Sequence, residues 1–125
     1  GGGVLTGKYK NGPPPGGRFT AYLTGEGKRQ QMMARRFVNE RTVETARRVG
    51  EIADSIGTTC TALSVAWSRQ HDFVASTIVG ATSVDQLEES LEARDLIIDD
   101  ETMRRIDAID FEIPCPMTED GLRRL

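Results

Sequence analysis

Ser76-Thr77-Ile78-Val79-Gly80-Ala81-Thr82-Ser83-Val84-Asp85-Gln86-Leu87-Glu88-Glu89-Ser90-Leu91 decides how this chain is read. A short β-branched run ends in a glycine turn, and a helix with a clear start follows at once. A parallel strand that feeds a helix through a glycine turns free backbone N–H groups and the positive end of the helix dipole outward. That makes a ready site for a phosphate. The strand, placed at 73–79 with its firmest part at 75–79, is apolar on both faces, as a buried parallel strand is. One parallel strand needs neighbours, and no other convincing strand stands in the sequence.

Working outward, the periodicity is helical. Residues 42–56 place Val43, Ala46, Val49, Ile52, Ala53 and Ile56 at helical spacing, with Gly57 as a C-terminal stop. Thr58 or Thr59 can cap the next helix, residues 61–70, which is apolar nearly all round and is expected to be well buried. Residues 83–93 read as a helix with Val84, Leu87 and Leu91 inward. Residues 100–110 read as a last helix, capped by Asp99, with Met103, Ile106 and Ile109 as its inner stripe. A short helix is expected over 30–37. Residues 10–27, where Asn11-Gly12, Pro13-Pro14-Pro15 and Gly16-Gly17 crowd together, read as loop, and 111–125 as a tail.

Composition narrows the class. The 125 residues suit one domain; 38% are hydrophobic and 28% charged, the mean hydropathy is -0.39, and no apolar run is long enough to span a membrane. A net charge of -3 and a pI near 5.2 argue against a general nucleic-acid binder. The arginines between Arg35 and Arg48 are interleaved with Glu40 and Glu44, which reads as a solvated mixed-charge face. Cys60 and Cys115 form no C-x-x-C pair, so a reduced, cytoplasmic setting is expected and no metal site is. Cys60 reads as a small core residue.

Two blocks then suggest a family. Gly2-Gly3-Val4-Leu5-Thr6-Gly7-Lys8-Tyr9 and Ile78-Val79-Gly80-Ala81-Thr82-Ser83-Val84-Asp85-Gln86-Leu87-Glu88-Glu89-Ser90 resemble the aldo-keto reductases, in the bacterial branch related to potassium-channel β-subunits. Ala62-Leu63-Ser64-Val65-Ala66-Trp67 between them is similar too. The resemblance covers most of residues 2–110 in the family's order. It implies an α/β fold, the C-terminal part of a (β/α)8 TIM barrel that typically needs about 250 residues. Residues 1–125 would run from just after strand 7 through strand 8, helix 8 and the C-terminal extension, a mostly helical piece needing the remainder of the barrel. The family's catalytic tyrosine, lysine, aspartate and histidine lie upstream of strand 7. Tyr9, Tyr22 and His71 are therefore left without catalytic roles.

The resemblance also implies NADP(H). On it, Thr6 and Lys8 match positions at the pyrophosphate, Arg18 one near the adenosine phosphate, and Gly1 and Gly2 backbone contacts. Gly80 allows a phosphate to approach the backbone, because it has no Cβ. Thr82 offers a hydroxyl and an N–H to the 2′-phosphate, while Gln86, Glu89 and Ser90 face the adenosine from successive turns. Cations such as Lys8 and Arg18 suit a dianionic 2′-phosphate, which favours NADP(H) over NAD(H). Ser90 departs from the family's usual asparagine, and the lysine-serine phosphate motif of the aldose-reductase branch is missing.

Bland rivals stand beside these roles. Ser83 with Gln86 is a ready capping box, so Gln86 can close its own helix instead of touching a cofactor. Thr6 and Lys8 can be loop surface. The functional expectation is an NADPH-dependent oxidoreductase reducing aldehydes or ketones, a small-molecule carbonyl substrate taking hydride from nicotinamide C4 and a proton from the family's tyrosine. The alternatives are an NADPH-binding regulatory module and a non-catalytic remnant of the barrel. Oligomeric state leaves no mark in the sequence.

Overall fold

Capping side chains set where the long helices begin. In the computed structural model, which describes residues 1–114, the α-helices are α1 (Thr20–Thr24), α2 (Lys28–Phe37), α3 (Glu40–Ser55), α4 (Cys60–Gln70), α5 (Val84–Leu91) and α6 (Asp100–Glu112). Single 3-10 turns lie at Val4–Thr6 and Glu92–Arg94. Asn39 accepts from the Thr42 N–H at 3.0 Å while the Asn39 N–H donates to the Thr42 hydroxyl at 3.0 Å, a reciprocal box that starts α3. Of the two threonines that could cap α4, Thr59 does so, accepting from the Ala62 N–H at 3.0 Å. Asp99 caps α6 through the Thr102 N–H at 2.7 Å.

The end of α3 is equally local. Gly57 takes φ 73°, the Thr58 N–H donates to the Ala53 carbonyl at 3.0 Å, and the Gly57 N–H donates to Asp54 at 3.3 Å. This is the paired C-terminal bond pattern for which a residue without Cβ is favoured.

Two apolar clusters hold the chain together. In the larger, Val49, Ile52 and Ala53 of α3 meet Leu63 and Ala66 of α4, and Ile106 and Ile109 of α6 close over them. Leu63 is fully buried, which contributes about 1.5–3 kcal/mol. In the smaller, Val4, Tyr9, Phe19, Ala34 and Ala46 join the opening segment to α2 and α3. Arg69, at the end of α4, donates to the carbonyls of Ala93 and Leu96 at 3.2 Å each and ties the link between α5 and α6 to the larger cluster.

Four expectations are corrected. Residues 73–79 are not a paired strand: among the described residues there is no strand, and Ile78 is 96% exposed. A strand is made by a neighbouring strand's backbone, and among the described residues no second strand pairs with this one. It is tied to the body by the Thr77 hydroxyl, 3.1 Å from that of Ser68, and by the Phe73 ring, stacked on His71 at 5.1 Å. Val84, Leu87 and Leu91 of α5 face solvent rather than a core, because no element among the described residues covers that side of the helix. The 10–27 loop contains α1, whose five residues form because Phe19, 1% exposed, anchors their start between Tyr9 and Phe37. Residues 111–112 extend α6 instead of opening a tail, and residues 115–125, with Cys115, lie outside the described residues.

Candidate cofactor site

The opening block is a chain of tight turns. Gly2 has φ 61°, and a Cβ there would run into the Phe19 ring, so both conformation and packing require glycine. The Thr6 hydroxyl donates to the Gly3 carbonyl at 2.9 Å and accepts from the Lys8 N–H at 3.4 Å, which folds Lys8 back toward Gly3. Tyr9 is buried, and its hydroxyl accepts the Phe19 N–H at 3.0 Å. That bond brings the two ends of the proline-rich segment together. Lys8 Nζ then stands 5.6 Å from the Tyr9 ring centroid, and Arg18 Cζ stands 5.6 Å from that of Phe19. Neither cation meets a carboxylate in an ion pair among the described residues.

The second block turns at Gly80, where an added Cβ would meet nothing within 4 Å. The protein's own packing therefore does not demand glycine there, and the backbone is open to an approaching group. The Thr82 N–H and the Thr82 hydroxyl both donate to Gln86 Oε1, each at 3.1 Å. Ser83 caps α5 by accepting from the Gln86 N–H at 3.4 Å. The capping reading of Gln86 thus holds in altered form, since its side chain reaches one residue past Ser83. The Ser90 hydroxyl donates to the Gln86 carbonyl at 2.8 Å, inside its own helix. Glu89 is half-buried.

The two blocks flank the first residue of α4. The Cys60 thiol donates to the Leu5 carbonyl at 2.9 Å, and burial is the main influence pushing its pKa up. The Glu89 carboxylate of the second block adds to that rise, and Lys10, one residue past the opening block, opposes it. Cys60 is half-buried and packs against the larger cluster, and no signal in the sequence marks it as a neighbour of the opening block. No hydrogen bond or ion pair joins Lys8 or Arg18 to Thr82 among the described residues.

The residues left without catalytic roles are packed by other means. His71 lies between Trp67, edge-on at 4.7 Å, and Phe73, stacked at 5.1 Å. A cavity of about 450 Å³ opens between the first 3-10 turn, α3, α4 and α6, with Val4, Val49, Trp67, Ile106 and Ile109 in its wall. Its lining is almost entirely apolar, and no cluster of His, Cys, Asp and Glu able to hold a metal occurs among the described residues. No helix there is long and apolar enough to cross a membrane.

The Aldo/keto reductase family profile matches residues 1–110, both blocks included. The chain belongs to that family. It is 32% identical over 117 residues to a candidate voltage-gated potassium channel subunit beta of Schizosaccharomyces pombe, covering 86% of this chain and 30% of the relative. It is 32% identical over 118 residues to protein tas of Escherichia coli, covering 91% and 31%. Against the L-glyceraldehyde 3-phosphate reductase of E. coli it is 31% identical over 91 residues, covering 73% and 25%. The chain therefore spans between a quarter and a third of the length of these relatives. The family implies a (β/α)8 barrel, and a mostly helical chain without strands among its described residues is consistent with a partial piece of one.

Proposed function

We propose that this chain supplies the phosphate and adenosine end of the NADP(H) site in a carbonyl-reducing oxidoreductase whose catalytic tetrad lies outside these residues. The observation that carries the reading is the convergence of two Thr82 donors on one oxygen. An N–H and a hydroxyl that both reach Gln86 Oε1 at 3.1 Å are spaced to reach one oxygen of a phosphate when the amide moves aside. Lys8 and Arg18 add the cationic donors that a dinucleotide's anionic end calls for, and both are uncommitted to carboxylates.

In this reading the donor set fits the cofactor. Thr82 with the backbone after Gly80 holds the 2′-phosphate, and Arg18 stands near it. Thr6, Lys8 and the backbone of Gly1 and Gly2 hold the pyrophosphate; Gln86, Glu89 and Ser90 border the adenosine. When bound, the reduced nicotinamide supplies the hydride for the carbonyl carbon. What this chain contributes is orientation and charge: it fixes the anionic end so that the far end lies in one place.

Equilibrium titration of the intact protein with NADPH and NADH tests the reading, alongside NADPH oxidation with a panel of aldehydes and ketones. Thr82→Val should weaken NADPH more than NADH. Equal weakening would remove Thr82 from the 2′-phosphate, and no oxidation with any carbonyl would remove the reductase. The resemblance to a channel subunit beta favours a second reading, an NADPH-binding regulatory module. Tight binding without repeated turnover would support it.

A further inference from the structure

The charges of this chain are separated. Residues 1–41 carry eight Lys and Arg against two Asp and Glu, a net of +6, while residues 42–125 carry eight against seventeen, a net of -9. Within the basic third, α2 contains no acidic residue at all. Met32, 67% exposed, has Lys28 and Arg29 one turn before it and Arg35 and Arg36 one turn after it. Those spacings of three and four surround it with four cations on one helix face. All four are exposed, and none is in an ion pair among the described residues. Lys28 and Arg29 also sit at the positive end of the helix dipole, where a cation is disfavoured. The helix tolerates this charge without a local partner for it.

The face is fixed to the proposed cofactor site. Phe37, the last residue of α2, stacks on Phe19 at 5.1 Å, and Phe19 follows Arg18 and is bonded to Tyr9 beside Lys8. Ala34 is fully buried, and the Gln31 side chain donates to the Gly25 carbonyl. The other block is the electrostatic opposite, since Asp85, Glu88 and Glu89 lie in α5 with no base among its residues. An anionic dinucleotide approaching α5 alone would meet repulsion.

We propose that the Lys28, Arg29, Arg35 and Arg36 face of α2 is an electrostatic capture surface that draws the anionic cofactor toward Lys8 and Arg18. This rests on the NADP(H) reading above and adds to it a role for residues that need not touch the bound cofactor. Steering requires a directed potential, not contact, and it acts on the association rate. Salt must weaken it, because the screening length is about 8 Å at physiological ionic strength. NADH, without the 2′-phosphate, must feel it less.

The test is stopped-flow association of NADPH with the intact protein, comparing wild type with the combined Lys28→Gln, Arg29→Gln, Arg35→Gln, Arg36→Gln variant. Thermal melting confirms that the variant is folded, and a version in which only Arg35 and Arg36 are changed serves if it is not. Arg104→Gln on α6 is the charge control. We expect the association rate to fall about tenfold at low salt, within the range that steering supplies. The difference should close at high salt, the dissociation rate should hold, and NADH should show a smaller effect. An unchanged association rate overturns the proposal, as does a change confined to dissociation, which would mean direct contact instead. Absence of NADPH binding in wild type would overturn the cofactor reading itself, a distinct result.

Discussion

Gln70 brackets the backbone of Ile98. Its side-chain amide donates to the Ile98 carbonyl at 2.8 Å, and its amide oxygen accepts from the Ile98 N–H at 2.6 Å. One side chain at the end of α4 thus replaces the two ladder bonds a neighbouring strand would make. Ile98 is buried in the larger cluster, so these groups cannot turn freely to water. Gln70→Ala should destabilise the protein by about 1–3 kcal/mol, the cost of leaving such groups unpaired. Gln70→Glu should cost no less at neutral pH, because an acceptor-only carboxylate oxygen would then face the Ile98 carbonyl. Urea unfolding of the two variants beside wild type checks the order.

Tyr9→Phe should remove only the acceptor of the Phe19 N–H, in a site that is otherwise apolar. We expect a loss of about 1–2 kcal/mol in stability, because the orphaned N–H stays buried. Affinity for NADPH should fall as well, since that bond sets the spacing of Lys8 and Arg18. A stability loss with unchanged affinity would separate the loop from the site.

Lys8→Ala and Arg18→Ala should each weaken NADPH by about 1.5–3 kcal/mol, as loss of a charged hydrogen bond does. For NADH the Arg18 effect should be smaller. Gln86→Glu should also weaken NADPH more than NADH, because a carboxylate would hold the Thr82 donors more firmly than an amide and would repel a phosphate. Calorimetric titration with both cofactors distinguishes the three variants.

The acid limb of stability should report on the last helix. The Thr102 backbone N–H, and then its hydroxyl, hold the Asp99 carboxyl below its ordinary value of 3.8. A carboxyl lowered on folding stabilises fully above its unfolded pKa, and that contribution is lost as the pH falls through the folded pKa. Arg48 lowers Glu112, at the other end of α6, in the same direction. Helicity should therefore fall as acid is added below 3.8, and Asp99→Asn, which caps without titrating in this range, should flatten the decline. Ellipticity at 222 nm against pH reads it out.

Helix ends were legible because their causes are local. Gly57, Thr59, Ser83 and Asp99 each act within a few residues of their own position, and each acts where the spacing placed it. What depends on distant neighbours was not legible. Among the described residues, 75–79 carry a strand's composition but no pairing partner, and Val84, Leu87 and Leu91 carry a core face with nothing over it. The helix α1 leaves no mark in the sequence for the opposite reason: its short, glycine-flanked stretch is weak, and burial of Phe19 supplies what propensity lacks. At the candidate site, the donors of Thr82 could be read from its place before Ser83. That Gln86 already holds them both could be framed only as a rival, because a side-chain rotamer decides it.

From Asp72 to Asp85 no charged side chain intervenes, and along residues 75–81 no backbone bond reaches another segment among the described residues. Such a stretch is a template for any extended chain that meets it, and within it only the carboxylates at its two ends, Asp72 and Asp85, oppose the approach of a second copy. How long a solution of these 125 residues stays clear should therefore shorten as their concentration rises.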